Sequence, residues 1–441
     1  MYEAAQQLGG GARTDELTLP GFRHDLCSAI HPLARASPVF RELGIDWVEP
    51  PAECAHPFDD GSALLLERDV RVTASQLEGD AETYVRLVTP LAHGFRQLAG
   101  GRFPWRAAPA LPPALASTCS LLERRFGSLR ARAFVAGHAA HSMLPLERRP
   151  SAGFALALLG TAHAVGWPFP RGGAQALSDA LARCLQELGG TIRTSAPVDR
   201  LPAADVVLAD VMPSELLRIA PFPPRYAAAL HHYRHGPAAF KVDWALDGPI
   251  PWAAAACARS ATVHLGATFD EIVSSERHNR SRRPFVLLAQ PSLFDETRAP
   301  AGKHTAWAYC HVPNGSRDDA TEAIEAQVER FAPGFGARIL ARSVRGPQQL
   351  AAENRNYVGG DINGGLMDLR QLLFRPAARA VPYRTPRRGV YLCSSATPPG
   401  GGVHGLCGLM AAKIAIHDVA PRGTRRAFFG RDPKAEVRPR L

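Results

Sequence analysis

The stretch "VYLCSSATPPGGGVHGLCGLMAAKIAIHDV" (Val390 to Val419) constrains the fold more than any other. It reads as a strand, a glycine-rich turn and an apolar helix opening near Leu406. Gly400, Gly402 and Gly405 satisfy G-x-G-x-x-G as written. Glycines let a backbone approach a ligand closely, and a helix N-terminus offers free N–H groups to anionic oxygens. The spacing alone leaves two readings open: a ligand-binding turn, or a helix packed tightly on a strand through small residues. Either way, a strand feeding directly into a helix belongs to an α/β architecture.

The other end of the chain carries a complementary fragment. "MYEAAQQLGGGART" places Glu3 where a short strand ends, then Gly9, Gly10 and Gly11. An acidic residue at a strand end grips a ribose diol in dinucleotide-binding folds, roughly 20 residues beyond the glycine turn. Here that turn does not precede Glu3, and on its own the fragment reads as a frayed terminus with a glycine turn.

Between these ends the sequence alternates in character. From about Ala81 to Gly160 apolar residues recur at three- and four-residue spacing, including "LLERRFGSLRARAFVAGHAAH", which predicts helices. "PRGGAQALSDALARCLQELGG" predicts a helix over about 175–188, with Leu177, Leu181, Cys184, Leu185 and Leu188 on one stripe and Gly189–Gly190 ending it. "TIRTSAPV" and "ADVVLAD" predict strands, the second fully buried. "FKVDWAL", "ATVHLGA", "RPFVLLAQP" and "TAWAYCHVP" predict a mixed sheet in a second region, and "DATEAIEAQVERFA" an amphipathic helix opened by acidic residues.

The chain's 441 residues suffice for two domains. No apolar run reaches the roughly 18–20 residues of a membrane span, and no basic-then-apolar leader opens the chain. Eight scattered cysteines without a C-x-x-C pair point to reduced thiols in the cytoplasm. The net charge of +10 comes from arginines dispersed over several clusters; lysines stand only at 241, 303, 413 and 434. Without a focused basic face or interleaved aromatics, nucleic acid is not an expected partner. Contact with an anionic membrane surface stays open as peripheral binding.

Four ordered motifs, "YEAAQQLGGGART", "PRGGAQALSDAL…GGTIRTSAPV", "NYVGGDINGG" and "YLCSSATPPGGGVHGLCG", together resemble the FAD-dependent phytoene-desaturase-like branch of the amine oxidase superfamily. Within it the chain resembles the pyridine nucleotide-disulfide oxidoreductase domain-containing protein 2 type, from Tyr2 to about Val419. The resemblance implies a Rossmann-like FAD-binding domain assembled from residues 1–75, 165–238 and 355–425, interleaved with an α+β substrate domain (76–164 and 239–354) and followed by a basic tail (426–441). It implies that Glu3 binds the adenosine ribose, that Gly9 and Gly10, with Gly11 beside them, approach the phosphates and flavin, and that the Val198 backbone meets the adenine. It further implies that Gly401, Gly402 and Val403 present N–H groups to the isoalloxazine. Family members open with a strand, G-x-G-x-x-G turn and helix ahead of Glu3; about 30 residues of that unit do not precede Tyr2 here. The domain is therefore expected to be N-terminally truncated, through a shifted start or a real loss, and weak in FAD binding if the loss is real.

The implied function is an FAD-dependent oxidoreductase moving a hydride between flavin and a hydrophobic, isoprenoid-like substrate, with an unassigned electron acceptor. The alternatives are a non-catalytic binding protein that keeps the fold, and a peripheral membrane enzyme drawing lipid from a bilayer. No catalytic residue is assigned, since the cofactor takes the hydride; His31 is the polar residue expected near the ring. His138 and His141 in "HAAH" lack an identifiable third ligand and are expected on a helix surface, so no metal is expected. His231 and His232 read the same way. His304, Trp307, Tyr309 and His311 alternate along a strand, and read as core and rim positions or as a cavity wall.

Overall fold

The computed structural model describes residues 1–100 and 104–419; the basic tail and residues 420–425 lie outside the described residues. Strands are numbered in chain order: β1 Thr14–Glu16, β2 Arg23–Asp25, β3 Trp47–Val48, β4 Cys54–Pro57, β5 Ala63–Leu66, β6 Phe169–Pro170 and β7 Val207–Ala209. The later strands are β8 Ala238–Leu246, β9 Thr262–Leu265, β10 Val286–Ala289, β11 His304–Val312, β12 Ile339–Arg345 and β13 Val390–Leu392.

The dominant element is a seven-stranded mixed sheet in the order β12-β8-β11-β10-β9-β4-β5. Only the β4–β9 pair is parallel among its contacts. All nine residues of β8 are buried, so the period-two pattern sorts side chains between two covered faces rather than between core and water. Ala55, Val242, Trp244, Val263 and Leu288 pack on one face with Ile324, Val328 and Phe331 of the Thr321–Phe331 helix. Burying each such aliphatic or aromatic side chain contributes about 1.5–3 kcal/mol. Cys54, Leu64 and Leu66 point to the opposite face, under the helices Ala81–Ala99, Leu129–Ala140 and Ser151–Val165.

The second part is smaller. β13 pairs in parallel with β7, and Tyr2 forms a parallel bridge with Arg193. The Glu3 N–H donates to the Arg193 carbonyl (2.8 Å), and the Ala196 N–H returns to the Glu3 carbonyl (2.8 Å). The "TIRTSAPV" strand is thus reduced to one bridge and its flanking hydrogen bonds. Leu208 of β7 is 43% exposed, so the expectation of a fully buried strand fails there.

Two helix expectations also shift. The run 121–141 is split into Thr118–Arg125 and Leu129–Ala140. The Asp80 carboxylate accepts from Gly127 N–H and Ser128 N–H, both at 2.8 Å, and Ser128 caps the second helix. The helix Gln175–Glu187 ends as expected, Gly190 N–H returning to the Leu185 carbonyl (2.8 Å). Yet only Leu177 and Ala180 are buried along it, while Leu181 and Leu188 are 41% and 81% exposed. Its apolar stripe is not covered by any described residue over its full length.

Candidate functional site

The four motifs come together around the Gln175–Glu187 helix. Its first turn leaves backbone N–H groups without helical partners. Asp25 Oδ1 accepts from Ala174 N–H (2.8 Å), and Thr14 Oγ1 accepts from Gln175 N–H (3.2 Å) while donating to Asp25 (2.8 Å). Arg298 completes the knot with a 2.6 Å ion pair to Asp25 Oδ2, both side chains fully buried. Burial alone would raise the Asp25 pKa, but the Arg298 charge and these hydrogen bonds hold it below the ordinary carboxylate value.

One turn further, Ser178 Oγ donates to the Ala12 carbonyl (2.9 Å) and lies where a side chain on Gly9 would stand. Gly9 and Gly10 take φ of +118° and +56°, values that favour glycine. A Cβ on Gly11 would overlap the Tyr357 hydroxyl, and Asn354 reaches toward Gly10. The "NYVGGDINGG" motif therefore lies against the N-terminal glycines. Asp361 organises it, accepting from Gly236 and Gly365 N–H (2.8 Å each) and from Asn363 N–H (2.9 Å).

The C-terminal turn closes the group. A Cβ on Gly401 would overlap the Asn363 carbonyl oxygen, so backbone approaches backbone there. Gly402 has φ +119° and faces Leu33. Val403 packs with Ala34, Phe40 and Leu177, the last on the same helix that holds Gly9 through Ser178. Ser37 Oγ donates to the His404 carbonyl (2.6 Å).

The sequence-predicted positions fare differently. Glu3 is half-buried, its Oε1 accepting from Ala5 N–H (2.8 Å), and it lies within electrostatic range of Asp210 at the end of β7. The Val198 carbonyl accepts from Arg218 (3.0 Å) on the surface, and no described contact joins Val198 to the glycine turns. His31 is buried against the Pro168 carbonyl and hydrogen-bonds Ser28 Oγ (2.7 Å); burial pushes its pKa down to about 4, leaving a neutral ring. His138 is fully buried, against the expectation of a helix-surface residue.

Sequence reasoning missed a polar face on the large sheet. Lys241, in β8, ion-pairs with Asp243 on the same strand face, and its ammonium lies 4.9 Å from the Trp307 ring centroid. Trp307 and Tyr309 stack at 5.9 Å and 24°. Strand register sets Lys241 beside Tyr309 and Asp243 beside Trp307. Burial, relieved in part by Asp243, lowers the Lys241 pKa. His311 pairs with Glu276 (2.6 Å), and His304 sits at the rim on Ser292 (3.2 Å). The available signal was "FKVD", a charged i, i+2 pair inside an apolar strand in a chain with few lysines. Cys27 bonds Tyr357. Cys27, Tyr309 and Tyr357 are half-buried, and Asp210 is exposed. One surface groove of about 670 Å³ lies beside Trp105, and another of about 520 Å³ beside Arg96 includes Ala34 and Phe40, the residues against which Val403 packs.

This architecture is shared with solved oxidoreductases. An oxidoreductase from Methanosarcina mazei superposes with a TM-score of 0.63 at 15% identity, covering 94% of this chain and 93% of that one. Wild-type putrescine oxidase bound to putrescine gives 0.61 at 17% identity, covering 95% and 93%. At such identities the likeness defines the fold, a Rossmann-like α/β part joined to a sheet-based second part. No protein-family model matches the chain. In sequence the chain is similar to pyridine nucleotide-disulfide oxidoreductase domain-containing protein 2 of Mus musculus, 27% identical over 352 residues, 68% of this chain and 60% of that protein. The protein of the same name from Rattus norvegicus is 36% identical over 151 residues, 32% of this chain and 26% of that one. The resemblance expected from the four motifs is thus found, and the chain spans about three fifths of the mouse relative's length.

Proposed function

We propose that this chain binds FAD and acts as an FAD-dependent oxidoreductase on a hydrophobic small molecule. The observation that carries the reading is the convergence of the N-terminal glycines, the "NYVGGDINGG" segment and the Gly400–Gly402 turn near one helix. The residues present fit the cofactor at two places. Glu3 offers a half-buried carboxylate for a ribose diol, and Gly9, Gly11, Gly401 and Gly402 stand where a Cβ would collide with a neighbour. When bound, the flavin supplies a two-electron acceptor for a hydride from carbon. On the large sheet, Trp307 and Tyr309 would offer an apolar wall to a substrate, and Lys241 a positive charge steadied by Asp243. An isoprenoid-like substrate suits such a wall. Val198 and Val403 remain the backbone positions assigned to adenine and ring, and the division into residues 1–75, 165–238 and 355–425 against 76–164 and 239–354 is part of this reading. Among the described residues no helix is long and apolar enough to cross a membrane, and all eight cysteines are free, which supports a reducing compartment.

Titration of the purified full chain with FAD, followed by flavin fluorescence and absorption, tests the proposal. Saturable binding is expected, weakened about tenfold to a hundredfold by Glu3→Ala through loss of hydrogen bonds to a charged group. Gly401→Val should abolish it, because the Asn363 backbone cannot move aside. Exposed Asp199→Ala should change nothing. A folded protein that does not bind FAD would favour a fold-retaining, non-catalytic binding protein.

A further inference from the structure

We propose that Cys54, His138 and His264, with His56 completing the set, form a buried zinc(II) site between the large sheet and the Leu129–Ala140 helix. Three elements supply the donors. Cys54 and His56 stand two apart on β4 and therefore share a face. The parallel register Ala55↔Val263 puts His264 of β9 on that same face. His138 comes down from the helix. Donor atoms of Cys54, His138 and His264 all lie within 4.8 Å of one another, and all three residues are buried. Zinc bonds of about 2.0–2.3 Å place tetrahedral donors ~3.3–3.8 Å apart, so small side-chain rotations close the set.

The donors also have the right valences free. Nε2 of His138 and Nδ1 of His264 have no hydrogen-bond partner although they are buried, a state that a dry core does not leave uncompensated without cost; the buried His56 ring lies against the Gly266 backbone. The remaining nitrogens are engaged as ligand-orienting groups are. His138 Nδ1 bonds the Phe134 carbonyl (2.8 Å), which leaves Nε2 with its lone pair. His264 Nε2 bonds His141 Nε2 (3.0 Å), which frees Nδ1. Gly137 makes room: a Cβ there would sit 3.0 Å from His264 Nδ1 and 3.3 Å from His56 Nδ1. A borderline-soft ion taking one thiolate and imidazoles in tetrahedral geometry is zinc. On binding, the Cys54 sulfur forms the bond to the ion and its proton leaves to solvent.

The test uses the full chain expressed in zinc-supplemented and, separately, cobalt-supplemented medium. Elemental analysis should find one zinc per chain, retained through dialysis, and the cobalt form should show a thiolate-to-cobalt charge-transfer band with visible d–d bands. Cys54→Ser should remove the charge-transfer band, and His264→Asn should lower retained zinc at least tenfold. Cys119→Ser, a buried cysteine outside the cluster, should leave both unchanged. If Cys54→Ser does not fold, zinc-edge X-ray absorption of the wild-type protein decides, a sulfur neighbour supporting the site. Folded wild-type protein without stoichiometric zinc, or zinc with no sulfur neighbour, overturns it.

Discussion

Asp25 shows how one side chain ties distant parts of the chain together. It accepts from the start of the Gln175–Glu187 helix, from Thr14 and from Arg298. Asp25→Ala would strand a buried guanidinium, and we expect a loss of about 3–5 kcal/mol in urea or thermal unfolding. The sign of the pH effect follows from the depressed pKa. The contribution is complete above the unfolded value of about 3.9 and is lost as pH falls through the folded value. Melting temperature should therefore drop steeply below about pH 4 in the wild type and less steeply in Asp25→Asn. None of this was legible beforehand, because a lone Asp and a lone Arg separated by more than 270 residues carry no local pattern. Glu3 and the glycines, by contrast, form a pattern in consecutive residues, and the role proposed for them starts from that pattern.

At the scale of elements, period and punctuation carried well. The helices Gln175–Glu187, Thr321–Phe331 and Leu406–Val419 lie where spacing, acidic openings and glycines put them. Strand β11 likewise matches its expectation. What local pattern did not supply was which face each strand residue serves, because β8 is buried on both sides. Lys241 and Asp243 illustrate this: register, not sequence, sets them beside Tyr309 and Trp307. A double-mutant cycle of Lys241→Met and Asp243→Leu should reveal a coupling of about 0.5–3 kcal/mol, each single change being worse than the pair predicts by addition. Additivity within error would mean that the two charges act independently.

Across the whole molecule, stability is uneven. Two-stranded ladders are marginal by themselves, and both the Tyr2–Arg193 bridge and the β7–β13 pair are of that kind. The seven-stranded sheet has covered faces and long central strands. Amide hydrogen exchange should therefore release Glu3, Ala196 and Val207 well before Val242 and Ala308; equal protection would contradict the division. Adding FAD should slow exchange at the first group if the proposed site is right, since a ligand that binds only the folded form stabilises what it touches.

The hydrogen bond from Ser37 to His404 has a consequence for the order of events during synthesis. Its two ends are 367 residues apart, and ribosomes add roughly 5–20 residues per second. For tens of seconds Ser37 has emerged while the turn that carries its acceptor has not been made. The helix that carries Ser178 and Leu177 emerges midway. Through Ser178 it contacts the Ala12 carbonyl beside the N-terminal glycines, and through Leu177 it packs with Val403, so a contact to the first half of the chain is available to it long before its contact to the last turn.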